Sequence, residues 1–146
     1  MRAKDFLSQI RKLDRMIVNK RIEIRQLKEI ANNNTGDMTG EKVQSSGNPQ
    51  RIAEAIVKYV DLEREIFQDI NKLIDARRDV ISVIEQLNTV EYDVLHKLYV
   101  QNFTFQDVAT VYDRTYSWAT TIHGRALKHV QQILNEREVQ AANAGI

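Results

Sequence analysis

The sequence predicts an all-α protein, made of a long antiparallel helical hairpin followed by a smaller C-terminal helical domain. The 146 residues include only five glycines and one proline, too few for the many turns of a β-sandwich or barrel. Apolar residues make up 42% of the chain, which is enough for a core, and they recur at helical spacing. The length fits one domain, or a small domain with an accessory element.

Residues 1–34 carry the apolar pattern of a helix. The stripe has spacings of three, four and seven residues, with Lys20 where another apolar residue would fall; it consists of Phe6, Ile10, Leu13, Ile17, Ile24, Leu27 and Ala31. We expect a helix over residues 3–33 that ends in the run Asn32–Asn34. A linker over residues 34–48 follows, because this stretch is rich in Gly, Ser and Thr.

The second helix, expected over residues 49–88, has the clearest heptad repeat. Pro49 fits its first turn, where a backbone N–H is not needed, and Asn48 or Ser46 is the expected N-cap. Apolar side chains recur every seven residues at Ile52, Tyr59, Ile66, Leu73, Val80 and Leu87. This repeat is typical of a coiled coil or a helical hairpin.

Charge favours pairing between these two helices. Residues 1–34 contain nine Lys and Arg against four Asp and Glu, whereas residues 49–91 contain six against nine. We therefore expect residues 1–89 to form a coiled-coil-like hairpin. Helix two is longer than helix one, so its uncovered apolar length must meet the C-terminal domain, another subunit, or both. Pairing with another subunit would give a homodimer or higher homo-oligomer. The basic residues at the N-terminus are interpreted either as a solvated face paired with acids or as phosphate contacts.

Residues 90–134 predict a helix-turn-helix domain. A helix from Val90 or Glu91 to about Asn102 comes first, and residues 135–146 are expected to form a flexible tail. Thr104 and Asp107 form a capping box for a short helix over residues 105–112, and Thr115 is a good N-cap for a helix reaching about Leu134. Two such helices joined by so short a turn are typical of a helix-turn-helix.

Most residue types along this segment fit the packing that a helix-turn-helix requires. Val108-Ala109 supplies an apolar residue beside a small one, and Ala119 and Ile122 begin the inward stripe that Ala126, Leu127 and Val130 continue. Two positions depart from the usual pattern: Asp113 stands where Gly is common, and Arg114 where an apolar residue is usual. A generic three-helix cap packed on the hairpin is the alternative.

Residues 104–130 resemble, without a gap, the C-terminal promoter-reading helix-turn-helix of bacterial sigma factors (region four). The shared residues are Thr104-Phe105, Asp107-Val108, Asp113, Thr115, Ile122 and Arg125-Ala126-Leu127-Lys128. Residues 1–133 also resemble a family of phage-encoded regulators related to the ArpU and RinA late-gene activators. That resemblance rests on the opening AKDFLSQIRKLD, on Val43-Gln44-Ser45-Ser46-Gly47, and on Tyr116-Ser117-Trp118 with His123-Gly124-Arg125-Ala126-Leu127.

The resemblance implies a sequence-specific DNA-binding transcription regulator, a phage late-gene activator in the cytoplasm of the host bacterium. Its implied partners are double-stranded DNA and, as an open alternative, host RNA polymerase. The implied DNA-binding residues are Arg114, Tyr116, Ser117, Trp118, Thr120, Thr121, Arg125 and Lys128. Residues 116–121 are uncharged here, whereas sigma factors carry charges at several of these positions, so promoter preference does not carry over.

The roles of individual residues differ in this interpretation. Arg114, Arg125 and Lys128 are expected to contact phosphates, because residues 114–135 contain these three cations and no acid. Thr120 is expected to face outward. Trp118 either packs half-buried against the neighbouring helix or contacts a groove or a partner. The same two alternatives apply to Tyr116.

Two other functions stay open. One is a small terminase-type DNA-packaging recognition subunit, which also combines a helix-turn-helix with oligomerising helices but usually places the DNA-binding part first. The other is a protein-binding module that contacts host RNA polymerase without DNA. The uncharged recognition helix is compatible with this last alternative.

The sequence also argues against several classes of protein and of site. The absence of cysteine removes disulfides and thiolate metal sites, and His123 and His129 lie six residues apart on different faces of one helix. No phosphate-binding glycine motif occurs. We therefore expect no enzyme, no metal site and no cofactor. The longest apolar runs have three or four residues and the N-terminus is charged, which predicts a soluble cytoplasmic chain without a membrane span.

Overall fold

The computed structural model describes residues 1–36 and 48–145, and every regular element within these ranges is helical. The predicted all-α class is therefore confirmed. The elements follow in the order α1 (Ala3–Leu7), α2 (Gln9–Gly36), α3 (Pro49–Ile84), α4 (Thr89–Leu95), a π-helical turn (His96–Val100), α5 (Phe105–Tyr112) and α6 (Tyr116–Ala144).

The first predicted helix is present with one interruption. Ser8 separates α1 from α2, yet its N–H donates to the Lys4 carbonyl at 3.0 Å and its carbonyl accepts from the Lys12 N–H at 3.0 Å. α2 continues to Gly36 instead of ending in the asparagine run. Each Asn disfavours a helix by less than about 1 kcal/mol relative to Ala, too little to stop an established one. The remaining predicted linker, residues 37–47, lies outside the described residues.

The second predicted helix begins as expected and ends early. Pro49 is the first residue of α3, and the Asn48 side-chain oxygen accepts a hydrogen bond from the Arg51 N–H at 3.1 Å. α3 ends at Ile84, not at residue 88. The reason is Asn88, which adopts an extended backbone and accepts from the Glu91 N–H at 2.9 Å to cap α4. A residue used as an N-cap cannot also continue the preceding helix.

The described chain divides into two compact units at positions that differ from the expected boundary at 89/90. Leu13–Lys72 forms one, called the helix-pair unit, and Met1–Lys12 with Leu73–Ile146 forms the other, called the core unit. The N-terminal residues therefore do not group with the rest of the first long helix. Burial explains this, since Phe6, Leu7 and Ile10 enter the same apolar cluster as residues of the C-terminal half.

In the helix-pair unit, α2 and α3 pair through an apolar seam with charged groups at its margin. Ile17 and Ile24 of α2 are buried, as are Ala55, Leu62 and Ile66 of α3. This seam excludes water along one face of each helix. Of the predicted heptad series in this unit only Ile66 is buried; Ile52 and Tyr59 are partly buried.

Three ion pairs join the two helices. The Lys20 ammonium contacts Asp69 at 2.6 Å and Glu65 at 3.5 Å, and the Lys28 ammonium contacts Glu63 at 3.5 Å. Across these contacts residue numbers rise in α2 as they fall in α3. Lys20, which interrupts the apolar stripe, forms its ion pair with a buried acid, because Asp69 is only 3% exposed. The hydrogen bond with Asp69 raises the pKa of Lys20.

The core unit is held together by residues from both ends of the chain. The Ala3 N–H donates to the Gln131 side-chain oxygen of α6 at 2.8 Å. Leu7, Val80, Val83, Ile84, Val94 and Leu95 share one apolar cluster and are fully buried. The N-terminal segment thus contributes to the core on which α6 packs.

α6 is longer than expected, and residues 135–144 are helical where a flexible tail was predicted. Leu134 is buried, the Arg137 guanidinium contacts Asp79 at 2.9 Å, and Glu138 accepts from the N-terminal ammonium at 3.1 Å. These contacts join the last turns of α6 to residues far away in sequence. Because the partners are distant in sequence, periodicity within the tail does not reveal them.

The segment between α4 and α6 matches the expected short elements closely. Thr104 accepts from the Asp107 N–H at 3.0 Å and its own N–H donates to the Asp107 carboxylate at 2.9 Å, which is the predicted capping box. Asp113 adopts the left-handed conformation, with φ of 53°. Asp tolerates this region better than most non-Gly residues, so it can replace the usual glycine.

A side-chain network ties α5 to α4. The Tyr112 hydroxyl donates a short hydrogen bond to Asp93, whose carboxylate also contacts the Lys97 ammonium at 2.9 Å. Burial alone would raise the pKa of Asp93, but the bonds from Tyr112 and Lys97 lower it overall. Burial, together with the bond to Asp93, raises the pKa of Tyr112 to about 12. The hydroxyl therefore stays protonated and acts as the donor at neutral pH.

We expect Tyr112→Phe to lower the free energy of unfolding by about 1–3 kcal/mol, because Asp93 loses a hydrogen bond while partly buried. Tyr116→Phe is the matched control; Tyr116 is 55% exposed, and its change should stay within about 0.5 kcal/mol. Urea unfolding followed by circular dichroism measures both. Equal losses in the two variants would contradict a specific role for the Tyr112–Asp93 bond.

Candidate nucleic-acid interface

One side of α6 is buried and the opposite side is open to solvent. Ala119, Ala126 and Val130 are fully buried, at spacings of seven and four residues. The exposed side, called the α6 outer face, consists of Ser117, Thr121, Gly124, Arg125 and Lys128. At 3.6 residues per turn these five positions form one continuous stripe. A Cβ added at Gly124 would meet no atom within 4 Å, so this face is unobstructed there.

The start of α6 is fixed by its cap and by the preceding turn. The Thr115 hydroxyl accepts from the Trp118 N–H at 3.1 Å, and Thr115 itself has the extended backbone of an N-cap. The Arg114 N–H donates to the Ala109 carbonyl at 2.9 Å. Both bonds set the direction in which α6 leaves α5. The prediction of Thr115 as the cap is confirmed.

Trp118 is half-buried and packs on α5. Its ring lies 5.1 Å from the Tyr112 ring, with an interplanar angle of 45°. The Arg114 guanidinium lies over the indole at 5.7 Å from the ring centroid. Packing against the neighbouring helix, one of the two expectations for Trp118, is therefore present, and the indole holds Arg114 at the start of α6.

Tyr116 and Thr120 differ in exposure. Tyr116 is 55% exposed, with its ring edge-on to Phe105 at 5.8 Å. Thr120 is only partly exposed, and its hydroxyl donates to the Ser117 carbonyl at 2.9 Å within α6. The expectation that Thr120 faces outward is therefore met in part. Thr121 is the threonine that is openly exposed.

Of the eight residues implied by the resemblance, Trp118 and Thr120 are partly buried. The other six are exposed: Arg114, Tyr116, Ser117, Thr121, Arg125 and Lys128. All eight lie on α6 or in the turn before it. The exposed set combines two hydroxyl side chains, one phenol and three cations.

An aromatic cluster joins α6 to the π-helical turn and to α5. The Tyr99 hydroxyl lies 2.7 Å from His123 Nε2, the two rings stack at 5.8 Å, and Phe105 contacts the imidazole edge-on at 5.1 Å. Burial, assisted by the positive charge of Lys4, lowers the pKa of His123. Burial also raises the pKa of Tyr99. A protonated phenol beside a neutral imidazole therefore makes a hydrogen bond in which the hydroxyl can donate.

Lys4 is one of the N-terminal basic residues interpreted from the sequence either as a solvated face or as phosphate contacts. Its charge acts on His123, so the N-terminal segment brings a cation near the middle of α6. Acids also occur nearby, since Asp107 and Asp113 are exposed on α5 and in the turn. The backbone hydrogen bond from Thr104 lowers the pKa of Asp107, so its carboxylate stays ionised and engaged at the N-terminus of α5. The α6 outer face itself carries only positive charge.

A buried carboxylate of α4 contacts the middle of α6. Glu91 is 5% exposed, and its Oε1 lies 2.6 Å from His129 Nδ1. The sequence indicated Glu91 only as a possible helix start and His129 only as a histidine on a different helix face from His123. Because they are 38 positions apart, no local pattern joins them. Their contact fixes the rotation of α6 about its own axis next to Lys128.

Comparison with protein families, curated proteins and solved structures finds no match for this chain. Within the described residues, no cluster of three or more His, Asp and Glu side chains is arranged to hold a metal ion. Nor does any helix in the described ranges have the length and apolarity to cross a membrane. The geometry of α5, the turn and α6 is therefore the basis for proposing a function.

We expect His123→Gln to reduce the pH dependence of stability between pH 7.5 and 5.5. The pKa of His123 is lower in the folded chain than the unfolded value of about 6.5, so the unfolded chain binds the proton first as pH falls. The folded wild type therefore loses stability below about pH 6.5. Urea unfolding at the two pH values measures this loss, with Thr121→Ala as the control that keeps it. An unchanged loss in His123→Gln would contradict the assignment.

Proposed function

We propose that the protein is a double-stranded DNA-binding transcription regulator, in which α5, the turn at residues 113–115 and α6 act as a helix-turn-helix. The observation that carries the proposal is the α6 outer face, a continuous stripe of hydroxyls and cations opposite a fully buried stripe. A recognition helix needs this division, because one side enters the major groove while the other holds the helix on its domain.

The chemistry of the outer face suits DNA. Ser117 and Thr121 hydroxyls can bond base edges or phosphates, and the Thr121 methyl group can contact thymine. Arg114, Arg125 and Lys128 are proposed phosphate contacts. In this arrangement Trp118 and Thr120 lie at the margin of the face, where Trp118 also positions Arg114.

Three phosphate contacts set an expected salt dependence. Each neutralised phosphate contributes about −0.9 to the slope of log K against log salt, so the slope for one chain is about −3. This is shallow for a specific regulator, and it implies that two copies act together on DNA. We propose that the α2–α3 pair is the predicted antiparallel hairpin and that it brings the copies together.

The biological setting in the proposal comes from the resemblance to phage late-gene activators and to sigma region four. It places the protein at phage promoters, in the cytoplasm of a host bacterium, with host RNA polymerase as a second partner. Residues 104–130, which carry the sigma resemblance, all lie in the described chain. Residues 43–47 of the phage-family resemblance lie outside it.

A second candidate function is protein binding without DNA. It is favoured by one observation: no residue from Thr115 to Gly124 carries a formal charge at neutral pH, with the pKa of His123 lowered. Such a surface suits a protein partner such as RNA polymerase. DNA binding is preferred because Arg114, Arg125 and Lys128 flank this stretch and no acid lies among them.

Selection from a random duplex library at about 50 mM salt, followed by shift assays at two salt concentrations, tests the proposal. We expect enrichment of a sequence, and Arg125→Ala with Lys128→Ala should flatten the salt slope by about two. Thr121→Ala should instead relax sequence preference. Lys58→Ala, a charge removed from an exposed position of α3, is the control and should leave both quantities unchanged.

The outcomes separate the candidate functions. Labelled phage promoter fragments and packaging-site fragments are assayed beside the selected duplex, and preference for the packaging site would favour the terminase-type alternative. No enrichment and no shift at low salt would contradict DNA binding and favour the protein-binding module. Equal loss of affinity in the Lys58→Ala control would show that the contacts are not located on α6.

A further inference from the structure

The helix-pair unit exposes apolar side chains that its own two helices leave uncovered. Val18 and Ile22 of α2 are 43% and 42% exposed, and on α3 the exposed fractions are 40% for Ile56, 43% for Val60 and 72% for Phe67. Val60 and Phe67 are seven residues apart, so they repeat the heptad on a second face of α3. Large apolar side chains grouped in this way mark an interaction surface.

These five residues lie on the same side of the helix pair. On each helix, the angle from the buried seam to the exposed residue, counted in the direction of the chain at 3.6 residues per turn, is about 100–150°. α2 and α3 run antiparallel, as the Lys20–Asp69 and Lys28–Glu63 ion pairs require. Equal rotations on two antiparallel helices lead to the same side, so the two sets form one surface, called the apolar flank.

The ion pairs also show which residues of α2 and α3 lie at the same height along the helix pair; two such residues are called level. Lys20 contacts both Glu65 and Asp69, which puts Phe67 level with Lys20, between Val18 and Ile22. By the same count Glu63 is level with Ile24, one residue before Arg25. Glu63 and Arg25 are both exposed, and both lie about 90° from the buried seam, on the side of the apolar flank.

We propose that the apolar flank binds the same flank of a second copy of this chain, with α3 of each copy lying on α2 of the other. A two-fold axis parallel to the helices keeps every residue at its level. Phe67 then packs between the Val18 and Ile22 positions of the second copy, and Glu63 meets its Arg25. The interface is self-complementary, as a two-fold dimer requires.

Charge selects this arrangement over the other two-fold packing. If α2 lay on α2 and α3 on α3, the arginines Arg21 and Arg25 would face a second set of arginines, and Glu63 would approach its own copy. Like charges brought together cost free energy, whereas the α3-on-α2 arrangement pairs opposite charges twice. α2 carries seven Lys and Arg against three Asp and Glu, whereas α3 is nearly balanced with six against seven, so α2 packs better on α3 than on a second α2.

Sedimentation equilibrium of the full chain tests the flank. We expect a dimer at micromolar concentration, and Phe67→Glu should weaken the dimer by roughly 100-fold, since each dimer contains the side chain twice. Val139→Glu is the matched control, because Val139 is 59% exposed on α6 and should not alter association. Circular dichroism confirms that both variants fold. A monomeric wild type at about 100 μM, an unaffected Phe67→Glu dimer, or equal loss in Val139→Glu overturns the proposal.

Charge reversal tests the arrangement. Arg25→Glu and Glu63→Arg each place like charges together and should weaken the dimer, whereas the double variant restores opposite charges and should recover affinity to within a few-fold of wild type. Additive weakening in the double variant overturns the α3-on-α2 arrangement. The proposal rests on the part of the proposed function in which the α2–α3 pair brings two copies together, but not on DNA binding itself. A dimer without a DNA shift contradicts DNA binding alone, whereas a shift without a dimer contradicts the pairing of copies alone.

Discussion

Close packing of small side chains determines how α6 is held. Ala109 of α5 and Ala119 and Ala126 of α6 have no exposed surface, so the helices approach without a larger side chain between them. Interiors are packed at crystal-like density, and one added methylene at such a contact would move the helix. Since these alanines define the inner face, they also determine that Thr121, Arg125 and Lys128 point outward. The proposed function depends on this single constraint.

Polar contacts reinforce the orientation that the packing of α6 sets. A rotation of α6 that separated a buried polar group from its partner would cost about 1–3 kcal/mol in addition to the lost packing. Glu91 with His129, and Tyr99 with His123, each join α6 to a different part of the core unit. They therefore fix its rotation. This explains why aromatic and titratable residues concentrate around a helix whose outer face is chemically simple.

Local signals were sufficient for the short elements around α5 and α6. Thr104 with Asp107 and Thr115 predicted the two caps, and residues 105–112 are the helix expected from them. Such signals depend on neighbours three residues apart, which a sequence displays directly. Asp113 could be accepted in place of glycine on the same local ground.

Long-range partners could not be predicted in this way. Periodicity assigned residues 1–12 to the first helix correctly, but it could not show that Phe6, Leu7 and Ile10 join the core unit. The partner of Ala3 lies 128 positions away, and the helical end of α6 depends on Asp79 and on the N-terminus. The candidate DNA-binding residues came from the family resemblance, whereas the partial burial of Thr120 and the nearby charge of Lys4 required the fold.

An amide NMR titration of the full chain with a random-sequence duplex at about 50 mM salt, where backbone contacts supply the affinity, would show directly whether α6 contacts DNA. We expect the largest shift changes on residues 114–128, with Ser117, Thr121, Arg125 and Lys128 among them. Changes confined to residues 13–72, or no changes at all at saturating duplex, would contradict this expectation.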